Sequence, residues 1–545
     1  MILATPKAAE NSRPGRHRQN ISGPADRGAA VPGPRALRGG RWTPIAAVLA
    51  LAVSVPAVSA LAGGTPRFVP EPRWRGFNLT DRMSRDWAAE PFREQDFRLI
   101  ARWGFNFVRL PLDYRLWIRD GDPRAIDETA LAEIDRAVEW GRAYGVHVCL
   151  NLHRAPGHCV ADPPEALDLW TDPGALDLCA LHWGVLARRY RRVPPEALSF
   201  NLVNEPPGLD GAVYARVMGR LAREVRRHNP RRPIVCDGLA TGRLPCPELV
   251  PLKVLQSTRG YLPAALTHYA APWVDGADAW PVPAWPMTQG PGYLYGPVKA
   301  EWSVPARIRA RLDAPMAFAA VVGTVSGPVR LTVRVDGREA AARRFECGPD
   351  AGRAAEWIEE HGQYRCTYDE AVGATVPAGA HLVEIACVEG DWLSLRRLSF
   401  APAEGSAPAE GSGGAFAIAG GGAWGGTPGE WTFDPARGAD AWRGPGTLDR
   451  EGLWAEAVAP WTNLAARGTT VFVGEFGAYN RAPHDATLRW MEDNLRNWRD
   501  AGWGWALWNF RGPFGVLDSG RADVDYEEVE GRLLDRRMLE LLQRY

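Results

Sequence analysis

The sequence predicts an α/β protein: a (β/α)8 TIM barrel with an all-β sandwich inserted between its sixth strand and sixth helix. Three observations predict it. Strand-like and helix-like segments alternate from Arg75 onward, the signature of a parallel α/β fold. The alternation breaks near residue 298, gives way to short period-two strands, and resumes near residue 448. Two apolar runs, Ala197-Leu-Ser-Phe-Asn-Leu-Val-Asn-Glu205 and Thr470-Val-Phe-Val-Gly-Glu475, each end on a glutamate, and a parallel barrel carries its chemistry at the C-terminal ends of its strands.

The elements follow in order. Strand one, 75–79, precedes a helical stretch at 92–102 and strand two at 105–112. Apolar positions at helical spacing (Leu131, Ile134, Ala137, Val138, Trp140, Gly141) predict a helix over 128–144. Strand three is 146–153, a helix covers 173–191, and strand four is 197–204. A helix over 211–228 stops before Asn229-Pro230. Strand five is read at 233–237 and strand six at 265–269. Residues 280–297, crowded with Pro, Gly, Trp and Tyr, read as a loop. Alternating strands at 306–312, 316–322, 329–335, 381–388 and 393–400, with turn residues such as Asp336-Gly337 between them, predict the sandwich. Helix 448–466, strand seven 470–475, helix 487–499, strand eight 504–509 and helix 532–542 complete the barrel. The domains are therefore a leader at 1–66, a barrel at 67–298 and 427–545, a sandwich at 299–402, and an Ala/Pro/Glu/Gly/Ser linker at 403–426.

Composition narrows the function. Lys+Arg and Asp+Glu are both 64, so formal net charge is zero, which excludes nucleic acid and an anionic membrane surface as the main partner. The chain carries 24 Trp, flat rings suited to stacking on sugars as well as to filling a core. The leader is rich in Arg, Pro, Gly and Ala without periodicity and reads as disordered. Arg38, Arg41 and an apolar stretch at 44–62 then resemble a signal peptide or N-terminal anchor, which predicts a secreted or cell-envelope protein. Eight Cys are compatible with export; Cys159 with Cys179, and Cys236 with Cys246, are close enough in sequence to pair. Cys149 reads as a buried free thiol, and Cys347, Cys366 and Cys387 form a separate group. His153, His158 and Cys159 lack metal-ligand spacing, so no metal and no cofactor are expected. A monomer is expected.

Two carboxylates at strand ends are what glycosidic bond cleavage needs. In the retaining form they stand about 5 Å apart, one protonated and one ionised. Asn204 beside Glu205 can bond a carboxylate and a sugar hydroxyl, which suits an acid/base. Glu475, on an apolar strand, needs a cation to stay ionised, and Arg109 at the end of strand two can supply it. His153, His268 and Trp508 end other strands of the same barrel. Each alone is as easily structural; their shared location raises the functional reading.

At these residues the chain resembles the family 5 glycoside hydrolases, the cellulase family. The matching stretches run in the family's order: Trp103-Gly-Phe-Asn-Phe-Val-Arg109-Leu-Pro, His147-Val-Cys-Leu-Asn-Leu-His153-Arg-Ala-Pro-Gly, Leu198-Ser-Phe-Asn-Leu-Val-Asn204-Glu205-Pro, Thr267-His268-Tyr, Val473-Gly-Glu475-Phe-Gly and Gly504-Trp-Ala-Leu-Trp508-Asn. The resemblance implies that Glu205 is the acid/base and Glu475 the nucleophile oriented by Arg109. It implies that Asn204, His153 and His268 line the bound sugar and that Trp508 stacks against it. The family also carries a Tyr two residues after its strand-six His, with its hydroxyl on the nucleophile. That position is Ala270 here, with Tyr269, Tyr479 and the tyrosines of 293–295 as candidates to replace it.

The expected function is a retaining, endo-acting hydrolase of β-1,4-glucan acting on a polysaccharide or oligosaccharide. A β-mannanase or other β-glycan hydrolase shares the same catalytic set. From other classes, a non-catalytic glycan-binding protein keeps the barrel without turnover, and a cell-surface scaffold uses the insert to bind a partner. The sandwich itself reads equally as a carbohydrate-binding module, with Trp302, Trp357, Tyr364 and Tyr368 as its candidate exposed aromatics, or as a rigid insert; Trp392 is expected in its core.

Overall fold

The computed structural model describes residues 69–274, 276–403, 416–421 and 424–545. They fall in the compact unit Gly64–Tyr545. The leader with its apolar stretch, and residues 404–415 and 422–423 of the expected linker, lie outside the described residues.

Eight parallel strands close into a barrel in chain order: Arg75–Asn78, Phe107–Asp113, His147–Arg154, Leu198–Asn201, Ile234–Asp237, Leu255–Gly260, Val471–Phe476 and Gly504–Leu507. Gly76 faces Phe107 where strands one and two pair, and a Cβ there would come within 1.7 Å of the Phe107 carbonyl oxygen. Helices Glu94–Arg102, Ala132–Tyr144, Pro173–Arg189 and Gly211–His228 cover the outside. Asp172 and Asp210 start the last two by accepting from the first free backbone N–H groups.

Side chains alternate across each strand, and the interior changes character with height. Trp74, Phe107, Cys149, Val235, Leu255, Phe472 and Ala506 form an apolar floor. Phe107 and Phe472 sit on non-adjacent strands with centroids 5.7 Å apart, so their contact crosses the interior. Two residues further along the same faces come Arg109, Asn151, Asp237 and Ser257, all buried and all polar. The site is thus built by the strand period: one layer closes the cylinder and the next carries charge.

The sixth strand corrects the sequence reading. It is Leu255–Gly260, not 265–269, and it pairs with strands five and seven, leaving no free edge for another. The sequence Leu-Gln-Ser-Thr-Arg-Gly is too polar to read as a buried strand, yet each side chain is satisfied: Gln256, for example, bonds both the N–H and the carbonyl of Cys246. Ala264–Thr267 is a short helix entered from Pro263, and His268 is its C-cap, not a strand end.

In chain order, two further sheets lie between the sixth and seventh barrel strands. One contains Ala354–Ile358, Gln363–Val376, Met316–Ser326, Trp392–Pro402, Phe416–Gly421, Met287–Pro291 and Gly446–Leu448, with Tyr293–Tyr295 beside Trp392–Pro402. The other contains Arg338–Phe345, Val329–Val335, Gly379–Glu389, Ala306–Leu312, Glu430–Phe433 and Trp442–Arg443. Ala306, Ile308, Ala310 and Leu312 point in while Arg307, Arg309 and Arg311 point out, and Phe318, Leu331, Phe400 and Phe433 share the core between the sheets. Asp336 and Gly337 turn the hairpin at φ of 48° and 78°, the conformation a tight two-residue hairpin requires.

The β-rich segment therefore begins at Met287 and ends at Leu448, wider than 299–402. Met-Thr-Gln-Gly-Pro and Phe-Ala-Ile-Ala-Gly-Gly pair through backbone, and their Gly and Pro hide them from a composition reading. Trp392 is half-buried in an aromatic group with Tyr293 and Trp424, not in the core, and Tyr368 is buried.

All eight cysteines are free thiols, so neither Cys159–Cys179 nor Cys236–Cys246 is a disulfide. Cys179, Cys236 and Cys246 are buried in the barrel's core, and burial pushes their thiols up. The close pair is Cys347 and Cys366, with sulfurs 2.8 Å apart. Among the described residues no helix is long and apolar enough to cross a membrane.

Candidate active site

Glu475 owes its direction to a bulge. Strand seven pairs regularly with strand six up to Val473 opposite Thr258, then skips to Glu475 opposite Arg259. Gly474 is the extra residue, and a Cβ on it would meet Ser257 Oγ at 2.3 Å and Arg259 Nη1 at 3.0 Å. Glycine at this point lets both Gly474 and Glu475 face the interior.

Arg109 lies wholly enclosed beside it. Nη1 donates to Glu475 Oε1 at 2.6 Å and to Asn78 Oδ1 at 3.0 Å; Nε donates to Asn201 Oδ1 at 2.9 Å and Nη2 to Asn204 Oδ1 at 2.8 Å. Asn78 is fixed in turn by donating to the carbonyls of Gly474 and Leu507. The guanidinium is thus oriented by three amides before it meets the carboxylate.

Glu205 takes a left-handed backbone at φ 45°, a conformation that costs about 1–3 kcal/mol and needs support. Asp237 Oδ2 supplies it by accepting the Glu205 N–H at 3.0 Å, and His158 Nε2 donates to the Asn204 and Glu205 carbonyls at 3.0 and 3.2 Å. The Glu205 side chain keeps 17% exposure against 4% for Glu475, so Glu205 is the carboxyl with access to the open mouth.

Two residues that the sequence reading missed join these parts. Arg259, on strand six, donates from Nε to Glu205 Oε1 at 2.8 Å. Its Nη2 lies 3.1 Å from Glu475 Oε1, donates to Asn204 Oδ1 at 3.0 Å and is paired with Asp237 Oδ2. Tyr261, just past that strand, donates its hydroxyl to Glu475 Oε2 at 3.2 Å. This is the tyrosine expected at Ala270; Tyr269, Tyr479 and the 293–295 tyrosines are not in that role. Arg259, two residues earlier, stands where the resemblance places a histidine. The signal was available in Ser257-Thr-Arg-Gly-Tyr261, had strand six been placed correctly.

The charges do not balance evenly. Two guanidinia face three carboxyls, Asp237, Glu205 and Glu475. Burial, and then the charge of Glu475, push Glu205 up to about 7 against the pull of Arg259. Burial would also raise Glu475, but Arg259 and Arg109 outweigh it and hold that carboxyl below its ordinary value. Asp237 is held low in the same way. One carboxyl keeps a proton near neutrality and the other does not, which is the division acid and nucleophile require.

His153 and Trp508 stack with centroids 5.6 Å apart and planes 21° from parallel. Burial lowers His153 to about 4, so it is neutral at neutral pH, and its Nδ1 has no hydrogen-bond partner among the described residues. His268 reaches the site indirectly: its ring lies 5.3 Å from Tyr261 and 6.4 Å from both Trp273 and Phe514. Trp273 is 57% exposed and extends this aromatic wall outward. The structure thus gathers Arg109, Asn204, Glu205 and Glu475 directly, with His153, His268 and Trp508 around them. Among the described residues no group of His, Cys, Asp and Glu is arranged to hold a metal ion.

Comparison with known proteins agrees with this geometry. Residues 64–258 match the family model described as Cellulase (glycosyl hydrolase family 5). Endoglucanase C of Acetivibrio thermocellus is 29% identical over 194 residues, 34% of this chain and 55% of that protein. Cellodextrinase A of Ruminococcus flavefaciens is 30% identical over 136 residues, 24% of this chain and 40% of that one. The chain thus spans about half the length of the curated relatives it matches. A solved structure described as a glycoside hydrolase is 26% identical, covers 87% of this chain and 99% of its own, and superposes with a TM-score of 0.55. The stretch that matches the glycosyl hydrolase family 5 model, 64–258, supplies the first five strands of the closed eight-stranded barrel together with Arg109, His153, Asn204 and Glu205.

Proposed function

We propose that the protein is a retaining, endo-acting glycoside hydrolase that cleaves β-1,4-glucan. The observation that carries this reading is that Glu205 and Glu475 meet on one guanidinium while their proton affinities are driven in opposite directions. Sharing a single guanidinium favours the narrow carboxyl spacing of retention over the wider one that admits water between them.

In the first step Glu475 attacks the anomeric carbon. Its Oε1 is held by two guanidinia, which leaves Oε2, bonded only by the Tyr261 hydroxyl, as the attacking oxygen. The bond from the anomeric carbon to the departing oxygen breaks, and Glu205 gives that oxygen its proton. In the second step water attacks the same carbon, Glu205 takes the water's proton, and Glu475 leaves as a carboxylate. Asn204, whose oxygen receives both guanidinia, presents its NH2 as a donor for a sugar hydroxyl. His153 and Trp508 line the bound sugar, while His268 packs behind Tyr261.

The names of the relatives, an endoglucanase and a cellodextrinase, support β-glucan over mannan. The test is turnover by the purified chain on carboxymethylcellulose, mixed-linkage β-glucan, mannan and xyloglucan, with NMR of the first product anomer. A β product from β-1,4-glucan is expected. Cleavage of mannan alone reassigns the substrate, an α product rejects retention, and binding without cleavage makes the protein a non-catalytic glycan binder.

A further inference from the structure

We propose that Arg259, anchored by Asp237, is a positioning residue that shifts its electrostatic support from Glu475 to Glu205 during turnover and so sets when Glu205 acts as acid and when as base. The proposal rests on reading Glu475 as the nucleophile. Arg259 is suited to the role because it cannot move. It is 2% exposed at the side chain, and it is tied to Asp237, to Asn204 and, through Nη1, to Ser257 Oγ at 3.0 Å. From that fixed position it touches both glutamates, and Arg109 does not share this reach: its contacts are Glu475, Asn78, Asn201 and Asn204, with Asp237 at 3.9 Å.

The charge count makes the consequence concrete. In the resting site two guanidinia face three carboxyl groups, and a single proton, on Glu205, makes the cluster neutral. When Glu475 bonds to the anomeric carbon, its negative charge is consumed and the Glu205 proton leaves on the departing oxygen. Two guanidinia then face two carboxylates, Asp237 and Glu205. The cluster is neutral again only if Glu205 stays ionised, which is the form that deprotonates the incoming water. Arg259 is the cation in contact with that new carboxylate. When water attacks, its proton returns to Glu205, Glu475 is released as an anion, and Arg259 faces both again. The other groups around Glu205 do not supply a mobile charge. His158 touches only its backbone carbonyl, and Tyr261 and His153 face Glu475.

The test is the pH dependence of kcat/KM on an aryl β-cellobioside, with intact-mass detection of the glycosyl-enzyme, for the wild type, Arg259→Gln, Arg259→Lys and Asp237→Asn. Removing the cation raises the basic limb of Arg259→Gln by about one pH unit or more. The covalent intermediate accumulates in that variant, and azide, which needs no base, restores its turnover. Arg259→Lys keeps the charge and leaves the limb in place. Asp237→Asn frees Arg259 for Glu205 and moves the limb down. A limb that stays put in both Arg259→Gln and Asp237→Asn overturns the proposal, as does loss of rate without accumulated intermediate. If Arg259→Gln does not fold, the downward shift in Asp237→Asn with an unmoved limb in Arg259→Lys upholds it, and any other pattern overturns it. A wild-type chain that cleaves no glycan overturns the hydrolase reading itself; an active wild type with unmoved variants overturns only the role of Arg259.

Discussion

The Tyr261 hydroxyl donates to Glu475 Oε2 at 3.2 Å from the first position beyond the sixth barrel strand. It touches the oxygen that the two guanidinia leave free. Tyr261→Phe keeps the half-buried ring and removes only this bond. Hydrogen bonds to charged groups contribute about 1.5–3 kcal/mol, so kcat falls roughly 10- to 100-fold. Steady-state kinetics with an unchanged melting temperature check it; full activity means the hydroxyl does not tune the nucleophile.

The two glutamates set a bell-shaped pH profile. Glu205 must hold its proton to act as acid, so kcat/KM falls as pH rises through about 7. Glu475 must be ionised, and because its carboxyl is held below the ordinary range, the acidic limb lies below the usual carboxylate values. Glu205→Gln abolishes the basic limb and lowers the rate on poorly leaving substrates by about 10²–10⁴-fold. A wild-type basic limb near that of an unperturbed carboxyl would contradict the assignment.

Arg109 is a buried cation whose loss strands Glu475. Arg109→Met breaks the 2.6 Å pair and costs about 3–5 kcal/mol of stability at neutral pH. In Arg109→Met combined with Glu475→Gln the carboxylate is gone too, so the double variant is more stable than the sum of the single changes requires. Urea unfolding of the four proteins measures the difference; strict additivity would show that the pair is not coupled.

Gly76 is required by the approach of strand two. A Cβ there would sit 1.7 Å from the Phe107 carbonyl oxygen, inside a closed sheet with no room to yield. Gly76→Ala is expected to abolish soluble expression or lower the melting temperature sharply. A variant that folds normally would mean strands one and two can separate locally.

Much of this was legible in the chain. Seven of the eight barrel strands announce themselves by apolar character, and Asn204, Glu205 and Glu475 follow from strand ends; Arg109, expected at the end of strand two, lies inside it, because Phe107–Asp113 runs on for four residues. Strand six was hidden because above Leu255 its interior face is Ser257 and Arg259 and its exterior Gln256 is satisfied by Cys246, so a single apolar residue marks it as buried. That one displacement cost the site Arg259 and Tyr261 and set His268 on a strand it does not occupy. Asp237 lay at a strand end that was correctly placed, but an isolated carboxylate carries no sign that its partners are two arginines from other strands.

The bulge at Gly474 has a consequence for how the protein can change over time. Below it, Val471–Val473 is locked in register with Gln256–Thr258; beyond it, Glu475 is aimed independently of that pairing. Durability and reactivity are therefore encoded in different halves of the same short segment. Substitutions beyond the bulge can re-aim the Glu475 carboxylate while the paired residues Val471–Val473 keep the barrel closed.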